Sequence, residues 1–115
     1  MYDKKDDLDT IHKKHADLCK MLSNPTRLKI LEELRRGKKT VSDIVSSINA
    51  SQSSISQHLG ELRKRNLVES ERKGSHIYYS ISNKKIIEAC DKIREVLFDK
   101  ISKNKDLIER GDMYE

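Results

Sequence analysis

The sequence predicts a mainly α-helical fold of about five helices with one small β-hairpin. Apolar residues recur at helical spacing through most of the chain, residues that favour helix ends separate these segments, and one late stretch alternates in strand fashion. The 115 residues fit one small domain. We therefore expect a polar tail over 1–9, a folded domain over 10–110 and a second tail over 111–115.

The first two helices are predicted from their apolar spacing and their end signals. The first covers about 6–22, where apolar residues follow at spacings of three, seven and four. The second covers 25–36, because Asn24 suits an N-cap, Pro25 suits the first helical position and Gly37 favours a helix end.

The next two helices are predicted to form a helix-turn-helix. Thr40 and Asp43 have the spacing of a capping box, and the helix they begin ends near Asn49. Ser51 suits the N-cap of the fourth helix, which runs to about Arg65. The two helices are joined by only three residues, as in a helix-turn-helix. The apolar stripe of the fourth helix consists of Ile55, Leu59 and Leu62.

A hairpin and a long last helix complete the prediction. Strands over 68–72 and 76–81 flank the turn 73–75, with Ile77, Tyr79 and Ile81 on one side of the second strand. A hairpin directly after the helix-turn-helix makes it a winged helix-turn-helix. The last helix begins near Lys84, and its apolar seam consists of Ile86, Cys90, Ile93, Leu97 and Ile101. Because the terminal helices carry longer seams than a small domain needs to cover, we expect a homodimer formed through them.

The basic surplus lies in the middle of the chain. Residues 25–82 hold 11 basic and 6 acidic side chains, whereas the segments on either side are balanced, so the net charge of +5 belongs to the middle. A module that neutralises phosphates concentrates charge in this way. There is no run of 18 apolar residues, and the first nine residues are polar, so we expect no membrane span, no secretory signal and a cytoplasmic protein.

The polar face of the fourth helix is predicted to bind double-stranded DNA. Glutamine and serine side chains in its first two turns can reach base edges and phosphates, and basic side chains around them can hold the backbone. His58 lies near the apolar stripe and suits either a phosphate contact or a hydrogen-bonded packing role. The remaining predicted contacts are Arg27, Gln52, Ser53, Ser54, Ser56, Gln57, Arg63, Lys64, Arg65, Arg72 and Lys73.

Two stretches resemble the ArsR/SmtB family of homodimeric winged-helix repressors. They are LSNPTRLKILEELRRG, residues 22–37, and SQSSISQHLGELRKRNLVESERKGSHIYYSIS, residues 51–82. The resemblance covers roughly residues 10–100. It implies a dimer assembled through the first and last helices that binds an imperfect palindromic operator and is released by an effector. It also implies that Ser51 to His58 form the DNA-reading helix and that Arg72 to His76 form the wing.

The two metal sites common in that family are missing from this sequence. Thr40 and Ser42 stand where the family motif ELCVCDL has its cysteines, and residues 84–110 contain no histidine. One candidate effector site remains, which consists of His12, His15 and Cys19 on one face of the first helix and Cys90 of the same or the other subunit. These residues suit a divalent ion such as Zn²⁺, the cysteines alone suit a thiol switch for oxidants or reactive sulfur, and inert packing is the third alternative.

Other function classes are less well supported by the sequence. A winged-helix protein-interaction module without specific DNA reading would usually carry an apolar or acidic surface, and a repressor without an effector is also consistent with the pattern. No Gly-rich phosphate loop, nucleophile elbow, HExxH motif or paired-carboxylate cleft is visible, so we predict that the protein is not an enzyme.

Overall fold

The computed structural model describes the backbone of residues 4–109 and the side chains of residues 7–105. It contains five helices and a two-stranded antiparallel hairpin in the described range, which confirms the predicted fold class. Within the described range, the chain from Lys4 to Asn83 forms one compact unit, and the last helix forms a second. The elements are α1 (Lys4–Met21), α2 (Pro25–Leu34), α3 (Val41–Ser47), α4 (Gln52–Lys64), β1 (Val68–Lys73), β2 (His76–Ile81) and α5 (Lys84–Glu109).

Short-range hydrogen bonds cap three of the helices at the N-terminal positions that the sequence predicted. The Asn24 side chain accepts the backbone N–H of Arg27 at 3.1 Å, with Pro25 at the first position of α2. Thr40 and Asp43 form the capping box of α3, and the hydrogen bonds from Thr40 hold the pKa of Asp43 below its ordinary value. Ser51 caps α4.

The helix boundaries differ from the predictions by a few residues. Helix α1 begins at Lys4, so residues 4–9 of the expected polar tail are helical. Helix α2 ends at Leu34 because the chain tightens there, with the Gly37 N–H donating to the Leu34 carbonyl and Gly37 at a φ of +134°. Helix α3 ends at Ser47, where the chain becomes extended. The predicted tail over 111–115 lies outside the described residues.

The core of the first unit combines the predicted stripe of α4 with apolar side chains of α2 and α3. Ile55, Leu59 and Leu62 of α4 are fully buried, as are Ile30 of α2 and Ile44 of α3. Each such side chain contributes about 1.5–3 kcal/mol through the apolar surface it removes from water. The same packing fixes the orientation of α4, because the stripe has to face the other two helices.

The hairpin forms with a regular register, and its turn is one residue shorter than predicted because Lys73 belongs to β1. Val68 pairs with Ile81 at its base and Lys73 pairs with His76 at its tip, where Gly74 has a φ of +63°. Backbone hydrogen bonds of 3.0 and 2.8 Å between Lys39 and Tyr79 attach the segment before α3 to β2. Burial along β2 does not alternate between the two expected sides, since 76–77 are exposed and 78–81 half-buried. The tip of a two-stranded hairpin has no second layer beneath it that would bury one face.

Helix α5 carries large apolar side chains that are exposed in the single chain. Ile93, Leu97 and Ile101 of the predicted seam are each more than half exposed. Val96 and Phe98 are exposed as well, and the sequence pattern did not include them. No helix in the described part of the chain is both long and apolar enough to cross a bilayer.

Candidate nucleic-acid interface

The N-terminal half of α4 exposes a short polar surface, which we call the reading surface. Gln52, Ser53, Ser56 and Gln57 are all exposed, while the stripe on the opposite side of the same helix has no accessible surface. This is the division predicted from the sequence. A helix with its apolar side fixed in the core and small polar groups outside can approach another molecule closely along its whole first half.

Ser51 and Ser54, two of the predicted DNA contacts, take part in the N-terminal cap of α4. The Ser51 hydroxyl accepts the backbone N–H of Ser54 at 3.1 Å and lies 3.3 Å from the Ser53 hydroxyl. Ser54 itself is half-buried. The cap holds the first turn of α4 in place, so Ser51 positions the reading surface in addition to lying beside it.

Arg27 and His58 contact each other inside the first unit. The Arg27 Nε–H donates to His58 Nδ1 at 3.1 Å, and Arg27 Nη1 donates to the backbone carbonyl of Met21 at 3.3 Å. One guanidinium therefore connects the end of α1, the first turn of α2 and the middle of α4. Partial burial, and then the nearby Arg27 charge, lower the pKa of His58 below its ordinary value. A neutral His58 ring that accepts at Nδ1 carries its proton on Nε2.

The basic residues at the end of α4 differ in their surroundings. Lys64 lies 3.5 Å from Glu61, and Arg65 forms an ion pair with Asp17 of α1. Arg63 is exposed and has no ion-pair partner among the residues with described side chains. Of these three predicted backbone contacts, Arg63 therefore has the charge that is least compensated within the chain.

The wing tip presents a second basic surface. Arg72, Lys73 and His76 are exposed around the turn, as predicted, and the His76 ring stacks edge-on against Tyr78 at 6.4 Å between centroids. Lys73 lies 3.7 Å from Oε1 of Glu71.

Sequence reasoning missed a lysine that joins the wing. Lys38 Nζ lies 3.0 Å from the same Oε1 of Glu71, although 33 residues separate the two in the chain. The hydrogen bond and charge of Lys38, with the charge of Lys73, hold the pKa of Glu71 below its ordinary value. The signal that could have indicated Lys38 was the basic run over 35–39, which holds four basic residues in five positions.

The four candidate effector residues are divided between α1 and α5. Among the side chains described, no three histidine, cysteine, aspartate or glutamate residues are grouped so that they could hold a metal ion. His12, His15 and Cys19 are exposed on α1, and Cys90 is buried. The exposure of Cys19 meets the access requirement of the thiol-switch hypothesis.

Comparison with known proteins agrees with this geometry. A family model described as a bacterial regulatory protein of the arsR family matches residues 24–70. The transcriptional repressor SdpR of Bacillus subtilis is 38% identical over 96 residues, which cover 84% of this chain and 94% of SdpR.

Solved structures give the same result. The crystal structure of Rv0081 from M. tuberculosis has a TM-score of 0.75 at 33% identity, covering 82% of this chain and 95% of Rv0081. The homodimeric winged helix-turn-helix DNA-binding domain of Mb0332 from Mycobacterium bovis has a TM-score of 0.76 at 26% identity, covering 88% and 94%. The resemblance seen in the sequence is thus confirmed, and this chain belongs to the ArsR family of bacterial regulatory proteins.

Proposed function

We propose that this ArsR-type repressor binds double-stranded DNA with the reading surface of α4 in the major groove and the wing on the neighbouring backbone. The observation that carries this proposal is the exposure of Gln52, Ser53, Ser56 and Gln57 opposite a fully buried stripe. The chemistry of these groups suits the task, because glutamine can form two hydrogen bonds with adenine and serine can contact either bases or phosphates.

Basic side chains around the reading surface would hold the DNA backbone. Arg63 at the end of α4 and Arg72 and Lys73 on the wing are exposed cations on the unit that holds the whole positive surplus. Phosphate contacts of this kind fix register and supply affinity without reading sequence. We propose no enzymatic reaction for the chain, and we propose that it acts on DNA in the cytoplasm.

We further propose that two copies act together on an imperfect palindrome. In the described part of the chain, α1 exposes the apolar side chains of Leu8 and Ile11, and α5 also exposes large apolar side chains. The related domain of Mb0332 is homodimeric. A two-fold dimer would present two reading surfaces to half-sites about one helical turn apart.

Replacement of single reading-surface residues tests the assignment. The cognate site can be obtained by selection from random DNA on the wild-type protein, and binding is then measured by fluorescence anisotropy. We expect Gln52→Ala and Ser56→Ala to weaken cognate binding by about 1–3 kcal/mol with little effect on random DNA. Lys73→Ala should weaken binding to both DNAs and should reduce the slope of log affinity against log salt concentration by about one. Equal losses on both DNAs for Gln52→Ala would contradict the reading surface, and no DNA binding at low salt would favour an interaction module.

For release from DNA, we propose modification of the Cys19 thiol by an oxidant or a reactive sulfur species. Its exposure gives such reagents access to the sulfur. Diamide or a persulfide donor is added to the labelled operator complex of wild type, Cys19→Ser and Cys90→Ser. We expect release of wild type but not of Cys19→Ser. Release that survives this substitution, or release of wild type by Zn²⁺ alone, would contradict the proposal.

A further inference from the structure

A carboxylate on the wing is shared by two lysines that come from different parts of the chain. Oε1 of Glu71 lies 3.0 Å from Nζ of Lys38 and 3.7 Å from Nζ of Lys73. The two ammonium groups therefore cannot be farther apart than the sum of these distances. Two cations around a single anion leave a net positive charge at this point of the wing.

The backbone holds this arrangement together. The two hydrogen bonds between Lys39 and Tyr79 pair the residue after Lys38 with β2, and Glu71 pairs with Tyr78 in the neighbouring strand. Lys38 is thus attached to the hairpin at a fixed position along it. The other charged residues of the same run are used differently, since Arg35 and Arg36 pair with glutamates one turn earlier in α2.

All three side chains are open to solvent. Their side-chain exposures are 51% for Lys38, 54% for Glu71 and 60% for Lys73. Ion pairs this exposed contribute little to stability, so an incoming anion can replace the carboxylate at small cost. If the wing faces DNA as proposed, the anion that reaches these two lysines is a phosphate of the DNA backbone. Its oxygens can accept a hydrogen bond from each lysine.

We propose that Lys38 and Lys73 form a clamp for a DNA backbone phosphate and that Glu71 is the resident anion which the phosphate displaces. The proposal rests on the proposed function, and it adds Lys38 and the segment before α3 to the DNA-binding surface. Glu71 in this role keeps both lysines in place in the free protein and lowers affinity for every DNA sequence alike. It acts on affinity through the two lysines, so it is a positioning residue and not itself a contact.

The clamp is tested by salt titration of cognate and random DNA binding. We expect Lys38→Ala to weaken both DNAs and to lower the steepness of the log–log salt dependence by about 0.9, as for Lys73→Ala. Lys29→Ala removes the same charge from an exposed position of α2 and should leave the steepness unchanged. If Lys38→Ala keeps the wild-type steepness of the salt dependence while Lys73→Ala reduces it, the clamp is overturned and the proposed function remains intact.

Glu71 has a matched control two residues earlier on the same strand. Glu71→Gln should tighten both DNAs by about two- to fivefold, more than Glu69→Gln, which removes an equal charge from an exposed position. In the Lys38→Ala background the gain from Glu71→Gln should be smaller, because only Lys73 then remains for Glu71 to compete for. An undiminished gain in that background, or no gain over Glu69→Gln, would overturn the displacement. Failure of the proposed function would show separately, as wild type that does not distinguish cognate from random DNA.

Discussion

The Arg27–His58 contact shows that a polar residue next to the reading surface can form hydrogen bonds within the protein. Both residues were candidates for DNA binding, yet the structure joins them to each other and to the Met21 carbonyl. The contact links three helices through one guanidinium. His58 has to be neutral at Nδ1 to accept from Arg27, so the link depends on the protonation state of a single ring.

This dependence predicts a loss of stability in mild acid. Because the pKa of His58 in the folded protein lies below its ordinary value of 6.5, the unfolded state binds the proton more readily. The contribution is therefore fully present above pH 6.5 and is lost as the pH falls toward the folded-state pKa. We expect the free energy of unfolding, measured by urea titration, to decrease more on going from pH 7.5 to 5 in wild type than in His58→Gln, which cannot titrate.

A second variant separates the hydrogen bond from the titration. His58→Ala leaves the half-buried Arg27 Nε–H without its acceptor and should cost about 1–3 kcal/mol at pH 7.5. His58→Gln offers a neutral acceptor and should cost less. Identical acid destabilisation in wild type and His58→Gln would contradict the prediction, because it would mean that folding does not change the proton affinity of the His58 ring.

At the scale of the element, α4 was predictable because its signals are local. The Ser51 cap, the buried Ile55, Leu59 and Leu62 and the polar opposite side all follow from residue type and helical spacing within 15 positions. The capping box of α3 was predictable for the same reason. Where neighbours in sequence determine the structure, the sequence was sufficient for both the helix and its exposed side.

Contacts between distant segments were not predictable in the same way. The Lys38–Glu71 pair depends on how the segment before α3 pairs with β2, and no local pattern specifies that register. The partners of Arg65 and His58 depend likewise on the packing of α1 and α2 against α4. Sequence reasoning therefore identified the polar side of α4 but could not separate the residues that face outward from those that connect helices.

At the scale of the whole molecule, the single chain leaves apolar surface uncovered. Only 35% of the residues are hydrophobic, and five large apolar side chains of α5 are each more than half exposed, namely Ile93, Val96, Leu97, Phe98 and Ile101. Exposed apolar residues concentrated on one element of a small protein mark an interaction surface. In a helix of 26 residues, about 39 Å long, they suit a second copy of the same helix better than a small ligand.

Charges placed in this surface should therefore prevent dimer formation. We expect wild type to have twice the 13.4 kDa mass of one chain in sedimentation equilibrium, and Leu97→Glu or Phe98→Glu to shift it toward a single chain. The physical reason is that an unpaired carboxylate costs several kcal/mol when an apolar interface covers it. Lys92→Ala, on the same helix but 77% exposed in an ion pair, should keep the dimer. A monomeric wild type, or Glu variants that still dimerise, would contradict the assignment of α5 to the interface.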